Sequence, residues 1–394
     1  MTTRVDPNLL YELQEFGADS AEKCINCGNC TAICPLSSDD DLFPRHIIRM
    51  AQLGLKDELL GSKELWLCYN CGECSETCPQ QAEPANLMSA ARNYAITSYS
   101  PFNISKIFFT KPVAASVIIV ALIIIFGLFM FTASETMPTD SLRLFDFLSR
   151  DFIHTSGLVA MIVFALVSFV TIFTMIGKIT RMNNLSFSSL LHGTKMNWIQ
   201  ALWDAGIVES LGQKRFRQDC DPDNENYKWF NSKWFIHAST MWGFLGLLLA
   251  TSLNFLLDVI GVKATGEFVP LWYPTRLIGT LSGLLFIYGC SYLIIRRWRS
   301  KEKSYNLSRF SDWIFLIMLW LSGMTGFVVE IALYLPGAPA WGYWMFIVHV
   351  AISITMLLLL PFSKFAHAIY RIVALYIHAL KPVGKEKPVS AIAD

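Results

Sequence analysis

Six stretches of this chain carry so little charge over such length that they leave few ways to fold. They are Val113–Phe131, His154–Ile176, Trp234–Leu257, Leu277–Ile295, Trp313–Leu335 and Trp341–Phe362. Most run uncharged for about 19 or more residues, the length that crosses a hydrocarbon layer as a helix. The fifth is interrupted by Glu330. Trp234, Trp272, Tyr273, Trp341, Tyr343 and Trp344 gather at the ends, where amphipathic rings favour the membrane interface. Composition agrees, because 53% hydrophobic and 16% charged residues is too apolar for a soluble chain of 394 residues. A formal net charge of +1, with no dense basic run, argues against nucleic acid as a partner.

The region before about Thr110 is different in kind: mixed, polar and rich in cysteine. Its first residues, MTTRVDPNLLYELQEFG, lack the apolar core of a signal peptide. Positive charge follows the second span (Lys178, Arg181, Lys195, Lys214, Arg215, Arg217) and the fourth (Arg296, Arg297, Arg299, Lys301, Lys303). The tail adds Arg371, Lys381, Lys385 and Lys387, whereas the opposite loops hold Arg143, Arg150, Lys263 and Arg276. Retention of positive charge inside predicts that both termini, the loop from Gly177 to Lys233 and the cysteine region face the cytoplasm. The expected organisation is all-α: a small helical two-cluster ferredoxin domain at 1–110, a six-helix transmembrane bundle at 111–380 and a cytoplasmic tail at 381–394.

Eight of the ten cysteines fall in two runs, CINCGNCTAICP and CYNCGECSETCPQ. Cys24, Cys27, Cys30 and Cys34 precede Pro35; Cys68, Cys71, Cys74 and Cys78 precede Pro79. Both runs have the C-x2-C-x2-C-x3-C-P spacing in which three thiolates wrap one face of a 4Fe–4S cubane and the fourth serves another cluster. Zinc would need two pairs and not eight ligands, and a disulfide framework suits a secreted chain. The spacing therefore predicts two clusters, one held by Cys24, Cys27, Cys30 and Cys78, the other by Cys68, Cys71, Cys74 and Cys34. Gly28, Asn29 and Gly72 are small enough to let backbone amides approach the sulfides. Ile47, Met50, Leu53 and Leu55 carry a helical apolar spacing between the runs. His46 reads as a surface or packing residue, and the isolated Cys220 and Cys290 as ordinary small residues.

Four of the seven histidines stand out. His349 and His367 are 18 residues apart on what reads as one sixth helix. That is five whole turns, so both would project from one face about 27 Å apart, as two stacked haems require. His237 opens the third span near the depth of His367, and His154 opens the second span on the side of His349. A membrane histidine is costly unless bound or paired, so His237–His367 and His154–His349 are the expected haem b ligand pairs. A hydrogen-bonded interfacial histidine is the other reading of His154. His192 and His378 sit in polar or amphipathic flanks and are weaker candidates.

These residues carry a resemblance. WLCYNCGECSETCPQ, from Trp66 to Gln80, resembles the HdrC subunits of heterodisulfide reductases. The loop RFRQDCDP, the WFIH from Trp234 to His237, and His349 with His367 resemble the HdrE and NarI family of di-haem cytochrome b subunits. The fusion of both parts resembles the QmoC family, membrane subunits of quinone-interacting oxidoreductases. One departure matters: NarI-type subunits carry a second histidine ten residues along the helix that His237 opens, and here that position is Leu247. The haem count is therefore one or two. No CCG motif is present, so the chain is not expected to reduce disulfides itself.

The resemblance implies that menaquinol is oxidised at the bundle and that electrons pass by haem and clusters to soluble flavin and iron–sulfur subunits similar to QmoA and QmoB, linked to adenylylsulfate reductase. Quinol oxidation releases protons, so its site needs polar groups at a membrane edge. The outer side offers His154, Lys263, Glu267, Arg276 and Glu330, of which Arg276 and Glu330 are the foremost candidates; a cytoplasmic-side site near His237 and Trp234 is the alternative. Two other classes stay open: an anchor of a heterodisulfide reductase-like or succinate dehydrogenase-like enzyme, and a redox-sensing membrane protein without quinone turnover.

Overall fold

Every regular element among the described residues is helical, and β-structure is confined to two isolated bridges, Ser134 with Leu148 and His192 with Asn197. The computed structural model describes residues 4–38, 42–193, 195–220, 228–262, 268–299 and 308–381. Lys263, Glu267, Lys301, Lys303, Lys385 and Lys387 lie outside the described residues, as does the tail beyond Lys381.

Six helices are long and apolar enough to cross a membrane: Pro112–Thr132, Arg150–Met182, Lys233–Val259, Pro274–Arg299, Phe310–Tyr334 and Ala340–Phe362. Their outward residues are apolar, Val113, Leu166 and Leu281 among them, as lipid contact demands. Spans three, four, five and six pack in sequence, with one and two against six. Small residues close the contact of spans three and four, where a methyl added at Gly243 would lie 2.5 Å from the Phe286 nitrogen.

The second span has 33 residues, about 50 Å of helix against a hydrocarbon layer of about 30 Å. Its surplus, with Met175 and Ile179, enters the core of the cysteine domain beside Leu13, Ile47, Trp66 and Tyr99. Within that domain the helix expected around Ile47 runs from Arg45 to Gln52 and buries Ile47, Ile48 and Met50. Leu53 falls past its end and is 44% exposed, because the chain turns at Gly54 with φ of +72°. His46 is exposed. The long loop after the second span holds a helix at Trp198–Trp203 that continues into a wider turn at Asp204–Leu211.

The single sixth helix expected to carry both His349 and His367 is two helices. The first ends at Leu359, a tight turn covers Leu360–Phe362, Ser363 is extended, and a second helix runs from Ala366 to Leu380. Pro361 has no N–H to donate to the preceding turn, and the chain leaves helical geometry just after it, at Ser363. The two histidines therefore do not share one helix face. The second helix is amphipathic, and Ala366, Tyr370, Ala374 and Ile377 bury in the core of the cysteine domain. Tyr370, Trp66 and Tyr99 pack edge to face, with ring centroids 5.0 Å and 5.4 Å from Tyr370. Each such pair adds about 0.5–1.5 kcal/mol beyond the area buried.

A charged joint locks the bundle to this arrangement. Asp312, in the first turn of the fifth span, pairs with Lys364 and lies 3.8 Å from Arg297, while Arg309 donates to the Glu15 carbonyl at 2.7 Å. Removing one partner of a buried pair leaves uncompensated charge, so Asp312→Ala is expected to cost about 3–5 kcal/mol. Thermal unfolding of the detergent-solubilised protein checks this; a midpoint equal to wild type would contradict it.

Candidate functional site

Each cysteine run begins in the same backbone shape. Asn26 and Asn70 have φ of +57° and +58°, and Gly28 and Gly72 have +88° and +96°. Glycine accepts this region freely and asparagine tolerates it better than other side chains, so the repeated N-C-G triplet is what lets the chain curl between ligands. The curl aims amides at sulfur: Asn26 N–H donates to Cys24 Sγ at 3.4 Å, Asn70 N–H to Cys68 Sγ at 3.3 Å, and Ala82 N–H to Cys78 Sγ at 3.4 Å. Short helices then start at Asn29 and Glu73, and Asn29 Nδ2 donates to the Thr77 carbonyl at 2.5 Å, tying one run to the other.

The runs exchange their fourth cysteines. One open cavity of about 490 Å³ is lined by Cys34, Cys68, Cys71 and Cys74, and another of about 330 Å³ by Cys24, Cys27, Cys30 and Cys78. None of the described cysteines is in a disulfide. Among the described residues, no three His, Cys, Asp or Glu side chains converge tightly enough for one ion. Four sulfurs ringing a cavity suit a cubane whose four irons each take one thiolate better than a single zinc. Burial pushes the Cys34 thiol up to about 11, with Cys68 and Cys71 adding to the rise, and burial raises Cys30 and Cys74 as well. Gathering thiolates there needs the positive charge that a cluster brings. Cys27 is exposed and Ile25 beside it is 63% exposed, so the Cys24 cavity lies at the surface. The Cys68 cavity faces the bundle: Arg371, from the helix after the sixth span, donates to the Cys68 carbonyl at 3.1 Å.

His367, the second residue of that helix, lies within electrostatic reach of His237 on the first turns of the third span. The carbonyl of Lys364 can only accept, so His367 Nδ1–H is the donor in the bond between them, which leaves Nε2 with its lone pair. Burial pushes His367 down to about 3, so the imidazole is neutral, the form that binds iron. His349 is held in the same way by the fifth span. Thr325 Oγ1 gives its hydrogen to the Leu321 carbonyl at 2.7 Å and so accepts from His349 Nδ1–H at 3.0 Å. His154 instead meets Phe255 of the third span edge-on, with ring centroids 5.0 Å apart.

Arg276 and Glu330 meet at the end of the bundle remote from the cysteine domain. Arg276 Nη1 lies 3.9 Å from Glu330 Oε1, and Thr280 Oγ1 donates to the same oxygen at 2.6 Å. Glu330 is one helical turn from Gly326, where an added methyl would lie 2.9 Å from His349 Cε1. Of the weaker candidates, His192 pairs its backbone with Asn197, and Cys290 is buried in the fourth span. Sequence reading overlooked Asn26, Asn70, Arg92, Thr280 and Thr325, and counted Arg371 only among the positive charges of the tail. Only the two asparagines left a signal, the N-C-G triplet common to both runs.

Residues 20–82 match the family described as 4Fe-4S dicluster domain. The fold and these residues define an iron–sulfur electron-transfer protein with six helices fit to cross a membrane. Residues 113–387 match the family described as citrate utilization protein B, and the chain belongs to that family. Its cysteine domain is 37% identical over 91 residues to the C subunit of the H(2):CoB-CoM heterodisulfide,ferredoxin reductase of Methanothermobacter thermautotrophicus, covering 23% of this chain and 49% of that protein. It is likewise 37% identical over 99 residues to the iron-sulfur C subunit of the CoB--CoM heterodisulfide reductase of Methanopyrus kandleri. A protein of Archaeoglobus profundus similar to the heterodisulfide reductase C subunit is 32% identical over 99 residues. Those matches cover 23% and 25% of this chain and 52% and 53% of the relatives, so the chain spans about half the length of the curated relatives it matches. No solved structure matches it.

Proposed function

We propose that the chain is the membrane subunit of a quinone-interacting oxidoreductase of the QmoC kind. It exchanges electrons between menaquinol and soluble flavin and iron–sulfur subunits similar to QmoA and QmoB, toward adenylylsulfate reductase. In this reading residues 1–110 are a ferredoxin domain on the cytoplasmic side, 111–380 a cytochrome b bundle in the inner membrane, and 381–394 a tail. Cys24, Cys27, Cys30 and Cys78 would hold one 4Fe–4S cluster and Cys68, Cys71, Cys74 and Cys34 the other. His237 and His367 would hold one haem b, and His154 and His349 a second. When bound, haem and cubane each take up and return one electron, dividing the two-electron quinol couple into single steps.

The observation that carries this reading is the helix Ala366–Leu380. It presents His367 to the bundle and, one turn on, Tyr370 and Arg371 to the peptide that bears Cys68. Tyr370, Trp66 and Tyr99 are all buried where that helix meets the cysteine domain. Glu330, paired with Arg276 beside the His349 neighbour Gly326, is the group to receive a proton as a quinol is oxidised. An optical spectrum of the purified protein before and after a menaquinol analogue tests the whole reading: haem b absorbance should sharpen on reduction, and an unchanged spectrum counts against it.

Glu330→Gln should slow quinol-driven haem reduction by about a hundredfold, the scale of one lost acid–base group, and Arg276→Ala, which removes its partner, should slow it in the same direction, with haem content normal in both. Stopped-flow absorbance in membranes measures it, and wild-type rates in both variants move the quinone elsewhere. The second reading, an anchor for a heterodisulfide reductase-like complex, rests on the names of the curated relatives. Mass spectrometry of co-purifying subunits separates the two.

A further inference from the structure

Arg371 stands out because the membrane half of the chain delivers it to the cysteine half. Its Nη1 donates to the Cys68 carbonyl at 3.1 Å and lies 3.4 Å from the Trp66 carbonyl, and its guanidinium lies over the Tyr69 ring at 4.2 Å from the centroid. Arg92, from the cysteine domain itself, donates to the same Cys68 carbonyl at 2.6 Å and to the Leu65 carbonyl at 2.8 Å. Glu209 is the acidic side chain facing this group: its Oε2 is 3.5 Å from the Tyr69 hydroxyl, and it pairs with Arg215 at 3.1 Å. Arg371 and Arg92 thus converge on the half-buried Cys68–Cys71 curl, with Glu209 and its partner Arg215 next to the Tyr69 hydroxyl, where charge is screened less than in bulk solvent. A structural tether would need only one hydrogen bond. Two guanidinium groups on one ligand's carbonyl concentrate positive charge where an arriving electron adds negative charge.

We propose that Arg371 is a positioning residue that raises the reduction potential of the cluster held by Cys34, Cys68, Cys71 and Cys74, so that this potential depends on the Ala366–Leu380 helix being docked. The inference rests on the cysteine assignment above. Uptake of one electron adds one unit of negative charge to the cluster, and the guanidinium stabilises that reduced form relative to the oxidised one. Since His367 lies one turn before Arg371, the same docking sets both the approach of the bundle and the pull of the cluster.

The test is a mediator-based reductive titration of the purified complex with dithionite, followed by EPR. Arg371→Gln should lower the reduced-to-oxidised ratio of this cluster about tenfold at fixed potential, a shift of about 59 mV for a one-electron couple. Arg371→Lys keeps the charge and should stay near wild type, and the cluster of Cys24 should not move in either. Wild-type midpoints in Arg371→Gln overturn the proposal, and so do equal shifts in the Gln and Lys variants, because only geometry is lost in the second. If Arg371→Gln fails to assemble, Glu209→Gln decides: removal of the counter-charge should shift the midpoint upward, and an unmoved midpoint overturns the proposal. Failure of the cysteine assignment shows separately, as Cys34→Ser protein in which both EPR signals remain.

Discussion

Cys34→Ser should strip one iron–sulfur cluster from the protein and leave the other intact, and the one lost is the cluster of the distant second run. Cys34 belongs by sequence to the run that starts at Cys24, and a local reading would place the damage there. In the fold it lines the cavity of Cys68, Cys71 and Cys74, while Cys78 has crossed in the other direction. Serine cannot replace a thiolate toward iron with comparable affinity, so a cubane left with three ligands is expected to be lost or degraded. Non-haem iron should fall from about eight to about four per chain, with loss of one of two EPR signals. Cys78→Ser should remove the complementary signal, that of Cys24, Cys27 and Cys30. Both sets share the domain core through Asn29 and Thr77, so some thermal destabilisation should accompany either variant. Loss of the Cys24 cluster in Cys34→Ser would falsify the exchange.

The second large effect is expected at the junction of bundle and tail. His237→Ala and His367→Ala should each remove the same haem, because each side chain is proposed as one axial ligand of one iron. The two come from helices far apart in the chain, the third span and the helix that follows the sixth. The backbone of Lys364 fixes the His367 ring, and Lys364 is itself held by Asp312. The ring is therefore oriented by packing that survives its truncation, and the variants should fold. Haem content measured on the purified variants, with the low-spin optical spectrum, decides the matter: full content in both would sink the pairing. Loss of different haems in the two variants would mean that each histidine has another partner.

Much of this was legible in the residue order. Spacings of two and three between cysteines are local, and a cubane accepts few others, so Cys24 to Cys34 and Cys68 to Cys78 announce their chemistry without any fold. Apolar length is also local: a segment that must satisfy its own backbone in lipid becomes a helix, and each of the six expected stretches coincides with a helix of sufficient length, the fifth overrunning its helix by Leu335. The break at Pro361 could have been read from the proline alone, and the five-turn arithmetic from His349 to His367 failed because it assumed an unbroken helix.

What the linear order could not contain is the meeting of distant parts. Arg371 and Cys68 are joined by a hydrogen bond across 303 positions, and Arg276 and Glu330 come together only when the fourth and fifth spans pack. Thr325 reads as one more small polar residue until His349 lies against it. Helix and ligand motifs depend on neighbours a few residues away, which the sequence states outright. The roles of Arg371, Thr325 and Thr280 depend on which surfaces pack, and that is a property of the whole energy balance, with many small contacts deciding between arrangements of similar composition.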